Sequence, residues 1–158
     1  MAIAQRTVSI NPAFLQEIKD DHHELRQLMH HTRAMLDHSG PAEIEYPRLF
    51  ELFGKLRDQL AMHFSLEEAF GYCEDAMSVA PHLSRRAECL RSDHPRLFAQ
   101  LCRMAEAAEQ LLYHETPDTA LRRLASEYHR FSTLFQEHEL QECDLILEAF
   151  NDDIGTGD

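Results

Sequence analysis

Four stretches of this chain repeat an apolar residue every three or four positions, and proline or glycine separates them. That period marks a helix with one buried face. The first stripe runs through Leu15, Ile18, His22, Leu25, Met29, Thr32 and Leu36. It follows Asn11-Pro12, a capping residue ahead of a proline suited to the first helical position, and it stops at Ser39-Gly40-Pro41. The second begins between Pro41 and Pro47 and carries Leu49, Phe53, Leu56, Leu60, His63, Glu67 and Phe70 up to Gly71. After the longest connection, Tyr72 to Ala80, Pro81 opens the third: Leu83, Ala87, Leu90, His94, Leu97, Leu101, Met104, Ala108 and Leu111. Thr116-Pro117 opens the fourth: Leu121, Leu124, Tyr128, Phe131, Phe135, His138, Glu142, Leu145 and Ala149. No segment alternates like a strand. Short links between amphipathic helices make antiparallel neighbours, so the expected fold is all-α, an antiparallel up-down-up-down four-helix bundle over residues 12–150. Residues 1–11 read as an N-terminal arm and 151–158 as a polar tail that frays.

Composition removes several classes of function. With 15 Lys and Arg against 28 Asp and Glu, the net charge is −13, which repels phosphate backbones and anionic lipid. Nucleic acid and membrane are therefore not expected as partners, and a protein partner is left unnamed. No run of about 18 apolar residues is present to cross a bilayer, and MAIAQRTVSI lacks the apolar stretch of a signal peptide. Cys73, Cys89, Cys102 and Cys143 form no Cys-x-x-Cys pair, so they read as packed thiols of a reducing, cytoplasmic compartment. The anomaly is histidine, 11 of 158 residues. Its imidazole is the commonest metal-ligating side chain.

Six polar residues interrupt the apolar stripes: His22, His63, Glu67, His94, His138 and Glu142. Burying ionisable groups in a bundle core is costly unless they pair or bind a metal, and these are the donors of a nitrogen–oxygen metal site. Counting along the helices from each connection puts His22 level with His63, and His94 level with His138 to within about 3 Å at 1.5 Å per residue. In each His-x-x-x-Glu pair the two side chains leave the helix on one face, one turn apart. His63 with Glu67, and His138 with Glu142, can thus each present a nitrogen and a carboxylate to one place. Four imidazoles and two bridging carboxylates would hold two metals and leave an open position on each for a small molecule.

The order His, His-x-x-x-Glu, His, His-x-x-x-Glu on four successive helices resembles the hemerythrin-like, HHE cation-binding family over about residues 12–150. The resemblance implies an oxo- or hydroxo-bridged pair of iron ions, with zinc or manganese as alternatives. It also implies chemistry toward oxygen, nitric oxide or peroxide, and His22, His63, Glu67, His94, His138 and Glu142 as ligands. Two departures separate the chain from the oxygen-carrying members. Phe98 stands where they place a second helix-3 histidine, and Cys143 where they place an aspartate. The pattern is closer to iron-centre-repair and iron-sensing relatives, although the repair proteins' N-terminal cysteine domain is absent from this sequence. The expected function is a stress-response protein that senses or handles oxygen, nitric oxide or peroxide. The rival readings are an iron buffer without small-molecule chemistry and an interaction module with a structural metal.

The remaining residues divide by periodicity. His22 fits the first stripe better than His23, whose neighbour one turn on is Arg26. His30, His31, His38, His82, His114 and His129 lie off the stripes and read as surface. Glu68 reads as solvated, Cys143 as a buried inert thiol, and Tyr128 as core with its hydroxyl bonded. Phe98, Phe131, Phe135 and Met29 read as core residues within a turn of the proposed ligands. Pro95 costs the third helix a hydrogen bond and a clash, about 3 kcal/mol. The helix either kinks beside His94 or restarts at Ser92 or Asp93.

Overall fold

A computed structural model describes residues 12–69, 78, 80–115 and 117–155. Four long helices account for most of them: α1 (Pro12–His38), α2 (Tyr46–Ala69), α3 (Ser84–Leu111) and α4 (Asp118–Gly155). One turn of 3₁₀ helix, Pro81–Leu83, leads into α3. No strand is present among the described residues. The starts follow the proline signals: α1 begins at Pro12, Pro81 begins the turn before α3, and Asp118 follows Pro117. Asn11, Phe70, Gly71, Thr116 and most of the Tyr72–Ala80 connection lie outside the described residues, as do residues 1–11 and 156–158. The tail expected to fray from Asn151 instead continues α4 as far as Gly155.

The stripes become the core. Leu49, Phe53, Leu56, Leu60, Leu97, Leu101, Met104, Leu121, Leu124, Tyr128, Phe131 and Phe135 are buried in one cluster with Leu25 and Leu36. Leu83, Ala87, Leu90, Leu145 and Ala149 form a second cluster between the start of α3 and the end of α4. The helices pack in a closed ring: α1 on α2, α2 on α3, α3 on α4, and α4 back on α1. Contact order gives their senses. His22 meets Glu139 while Met29 meets Tyr128, so α1 runs against α4. Arg86 meets Glu148 while His94 meets His138, so α3 also runs against α4. Phe53 meets Tyr128 while Phe64 meets Phe135, so α2 runs with α4.

α3 passes Pro95 without a break, and Leu90, His94, Leu97 and Leu101 stay buried on one face. The restart at Ser92 or Asp93 is therefore ruled out, and His94 keeps its phase. Pro95 itself faces outward. The cysteines differ from expectation. Cys89 and Cys143 are exposed and Cys102 is half-buried, all with free thiols. Cys143 is one residue past the seam position Glu142, and about 100° of rotation carries it out of the core.

Tyr128 anchors the bundle beneath the polar layer. It is fully buried, and its hydroxyl donates to the Met29 carbonyl at 2.6 Å. The edge of the Phe53 ring packs against it at 5.9 Å. A buried phenol needs such a partner, and here the partner ties α4 to α1. No helix among the described residues is long and apolar enough to cross a membrane.

Candidate metal centre

Above the Tyr128 layer the stripes turn polar on all four helices at one level. His63, Glu67, His94, His138 and Glu142 are all buried, and His22 is half-buried at 23% side-chain exposure. The level pairs anticipated from chain position meet: the His22 and His63 rings lie 5.6 Å apart, and those of His94 and His138 5.0 Å apart. His23 faces solvent and bonds Gln27, whereas His22 turns toward the His63 ring and Glu139. His30, His31, His38, His82 and His114 are exposed, and His129 pairs with Asp37 away from the centre.

Two groups of donor atoms converge. One is His22, His63 and Glu139; the other is Glu67, His94, His138 and Glu142; within each group the donor atoms all lie within 4.8 Å of one another. In the first, His22 Nδ1 is 3.0 Å from Glu139 Oε2, and His63 Nε2 is 3.0 Å from Glu139 Oε1. In the second, Glu142 Oε1 lies 3.3 Å from His94 Nε2 and 3.2 Å from His138 Nε2. Glu67 joins the groups: Oε1 is 2.9 Å from His63 Nε2, and Oε2 is 3.4 Å from His94 Nε2. Glu67 spans both groups, whereas Glu142 serves the His94–His138 group.

A second tier of carboxylates stands behind the histidines. Asp21 Oδ2 accepts from His63 Nδ1 at 3.0 Å, and Gln59 Nε2 donates to Asp21 Oδ1 at 2.6 Å. Glu68 Oε1 accepts from His94 Nδ1 at 3.1 Å. Asp93 Oδ2 lies 3.7 Å from His138 Nδ1. Carboxylates on the far ring nitrogen fix which nitrogen faces a metal and raise its basicity. Glu68 is therefore no idle solvated neighbour of Glu67, although its side chain is 44% exposed. Aromatic rings close the floor. Phe64 stacks on His94 at 4.1 Å, Phe135 meets the His63 ring at 6.0 Å, and Phe131 stacks on Phe135.

The charges are strongly coupled. Burial of His63 works against its charged form, but the carboxylates of Glu139 and Glu67 outweigh it and push its pKa up to about 11. His94 and His138 move up for the same reason against the same opposition, Glu142 being the main partner of each. Burial opposes the charge on Glu139 too, yet His22 and His63 bring it down to about 2. Burial is the dominant cause in Glu67, whose pKa rises; burial opposes the charge on Glu142 as well, but His138 and His94 hold it below the usual range.

The donor set fits a bound metal cation. Glu67 Oε2 and both ring nitrogens of His138 are buried with no hydrogen-bond partner, although His94 Nε2 and Glu142 Oε1 stand close by. Buried polar atoms without a bond are rare in native proteins and call for an explanation such as an ion. Imidazole and carboxylate donors aimed inward, with Nδ1 atoms held from behind, are the chemistry of such a site. A cleft of about 110 Å³ between α3 and α4 reaches His138, bordered by Asp93, Arg96, Gln100 and Glu137.

The sequence pattern missed Glu139, Asp21 and Phe64. Each is one residue from a stripe position, and each points to a neighbouring helix because the bundle ring gives every helix two neighbours. For Glu139 and Asp21, a polar residue beside a core histidine, on the side of the second neighbour, was the available signal; for Phe64 there was none. The family model for the hemerythrin HHE cation-binding domain matches residues 13–150. Searches of curated proteins and of solved structures gave no match. With a family match over nearly its whole length and a buried histidine–carboxylate layer across four helices, this chain belongs to the hemerythrin HHE cation-binding family.

Proposed function

We propose that the chain is a non-haem di-iron protein that senses or handles oxygen, nitric oxide or peroxide. The observation that carries this reading is Glu67. Its two oxygens reach histidines of two adjoining groups, 2.9 Å from His63 and 3.4 Å from His94, which suits two cations side by side and not one. His22, His63, His94 and His138 supply the imidazoles; Glu67 and Glu142 supply carboxylates. Iron bound there supplies redox chemistry and affinity for small oxidants or nitric oxide.

The chain's own residues set what reaches that centre. Phe64, Phe131 and Phe135 form an apolar floor that excludes water from below. The cleft at His138, about 110 Å³, is small beside the roughly 300–1,000 Å³ of organic-ligand pockets. It suits a molecule of a few atoms. Asp21 and Glu68 accept the Nδ1 protons of His63 and His94, which leaves each Nε2 lone pair for a cation. The free thiols support a reducing, cytoplasmic setting.

The test is an absorption spectrum of anaerobically iron-loaded protein, then of the same sample exposed to oxygen, to nitric oxide and to peroxide. New charge-transfer bands in the visible or near-ultraviolet support the reading. An iron-bound spectrum unmoved by all three leaves an iron buffer. Loss of the fold on chelation, with no such bands, marks a structural metal.

A further inference from the structure

Glu139 follows His138 directly, and one helical step turns it by about 100°. α4 packs on both α3 and α1, so the two consecutive side chains enter different places. His138 faces His94 at 5.0 Å, while Glu139 lies between His22 and His63, with Oε2 3.0 Å from His22 Nδ1 and Oε1 3.0 Å from His63 Nε2.

The nitrogens it meets separate a ligand from a supporting carboxylate. Asp21 already holds Nδ1 of His63, and Glu68 holds Nδ1 of His94; both stand behind their rings. Glu139 meets Nε2 of His63, the same atom that faces Glu67. It stands in front, where the cation goes. Glu142, the accepted partner of His138, has the matching place in the other group.

We infer that Glu139 is a metal-ligating residue that gives the His22–His63 position a carboxylate of its own, leaving Glu67 as the side chain shared by both positions. Each position then has two imidazoles, one private carboxylate and one oxygen of Glu67. The charge supports the count. Glu67, Glu139 and Glu142 together offset three of the four positive charges of two divalent ions, and a buried site is favoured as its net charge approaches zero. This inference rests on the metal-centre reading above and adds a residue that the His-x-x-x-Glu pattern does not contain.

The test compares wild-type protein with Glu139→Gln, Glu139→Asp and, as a control on an exposed position of the same helix, Glu127→Gln. Each is stripped of metal and titrated anaerobically with iron(II) against a competing chelator. Helix content by circular dichroism is recorded alongside. The expected result is two ions for wild type and Glu127→Gln. In Glu139→Gln one ion binds as before and the other at least tenfold more weakly. Glu139→Asp withdraws the oxygens by one methylene, weakens the same ion, and decides the matter if the Gln variant loses helix. Two ions bound at wild-type affinity in both Glu139 variants would overturn the assignment alone. So would equal loss of both ions in a folded variant. A wild-type chain that binds no iron would overturn the metal-centre reading itself, and this inference with it.

Discussion

Removing Asp21 tests how far the centre depends on residues that never touch a cation. Its carboxylate is 8% exposed, accepts from His63 Nδ1 at 3.0 Å, and is itself held by Gln59 at 2.6 Å. Asp21→Ala leaves His63 free to turn and to place its proton on either nitrogen. It also leaves the Gln59 amide without its partner. Loss of such a supporting bond costs about 10–100-fold in metal affinity, or roughly 1.4–2.7 kcal/mol at 1.36 kcal/mol per factor of ten. Two facts put Asp21 toward the upper end: it is buried, and it belongs to a relay of two hydrogen bonds. Glu68, with its side chain 44% exposed, stands behind His94 in the same way, and water can replace it. Glu68→Ala is expected near the lower end. Asp21→Asn keeps an oxygen for the Nδ1 proton and should recover most of the loss. The assay is competition with a chelator of known affinity at pH 7.5, with helix content as a control on folding. Affinity within twofold of wild type in a folded Asp21→Ala protein would refute the reasoning.

Other outcomes follow from the same geometry. His63→Ala and His138→Ala should each lower the bound metal per chain, and His114→Ala, at an exposed site, should not; equal metal in all three would remove the ligand assignment. Tyr128→Phe removes a hydrogen bond to the Met29 carbonyl, which keeps its partner within α1, and should lower the unfolding free energy by about 0.5–1.5 kcal/mol while leaving metal content unchanged. The pKa of His63 is raised to about 11, so its contribution to metal-free stability is complete below 6.5 and fades as pH climbs toward 11. That of Glu139 is lowered to about 2, so its contribution is complete above 4.5 and fades as pH falls toward 2. Melting temperatures of stripped protein should therefore fall off on both sides of pH 4.5–6.5, and a curve rising steadily from pH 7 to 10 would contradict the pairing. Because a cation must displace the His63 proton, affinity should still rise between pH 7 and 9, by up to about tenfold per unit for each proton released.

The legible part of this protein was its periodicity. Leu90, His94, Leu97 and Leu101 share a face because 3.6 residues make a turn, and that arithmetic survived Pro95 in the middle of α3. It also found the level pairs, since equal distances from a connection become equal heights. What it could not supply was the second face. A stripe describes one direction, but α4 meets both α3 and α1, and Glu139 belongs to the contact that the stripe leaves out. Asp21 was hidden beside His22 for the same reason. Glu68 lies off the stripe and reads as solvated from the sequence, yet its long side chain reaches inward from a wet backbone position to His94. Cys143 reads as a buried inert thiol from the sequence, yet it sits one helical step past Glu142 and lies in solvent.

Whether donors from four helices hold two cations at one level of the bundle is open to direct observation. Anomalous diffraction at the iron edge, from crystals of iron-loaded protein grown without chelator, addresses it directly. Two peaks are expected side by side within the bundle: one among His22, His63 and Glu139, the other among His94, His138 and Glu142, with Glu67 between them. A single peak, or peaks only at the surface while those side chains bond one another, would contradict that arrangement.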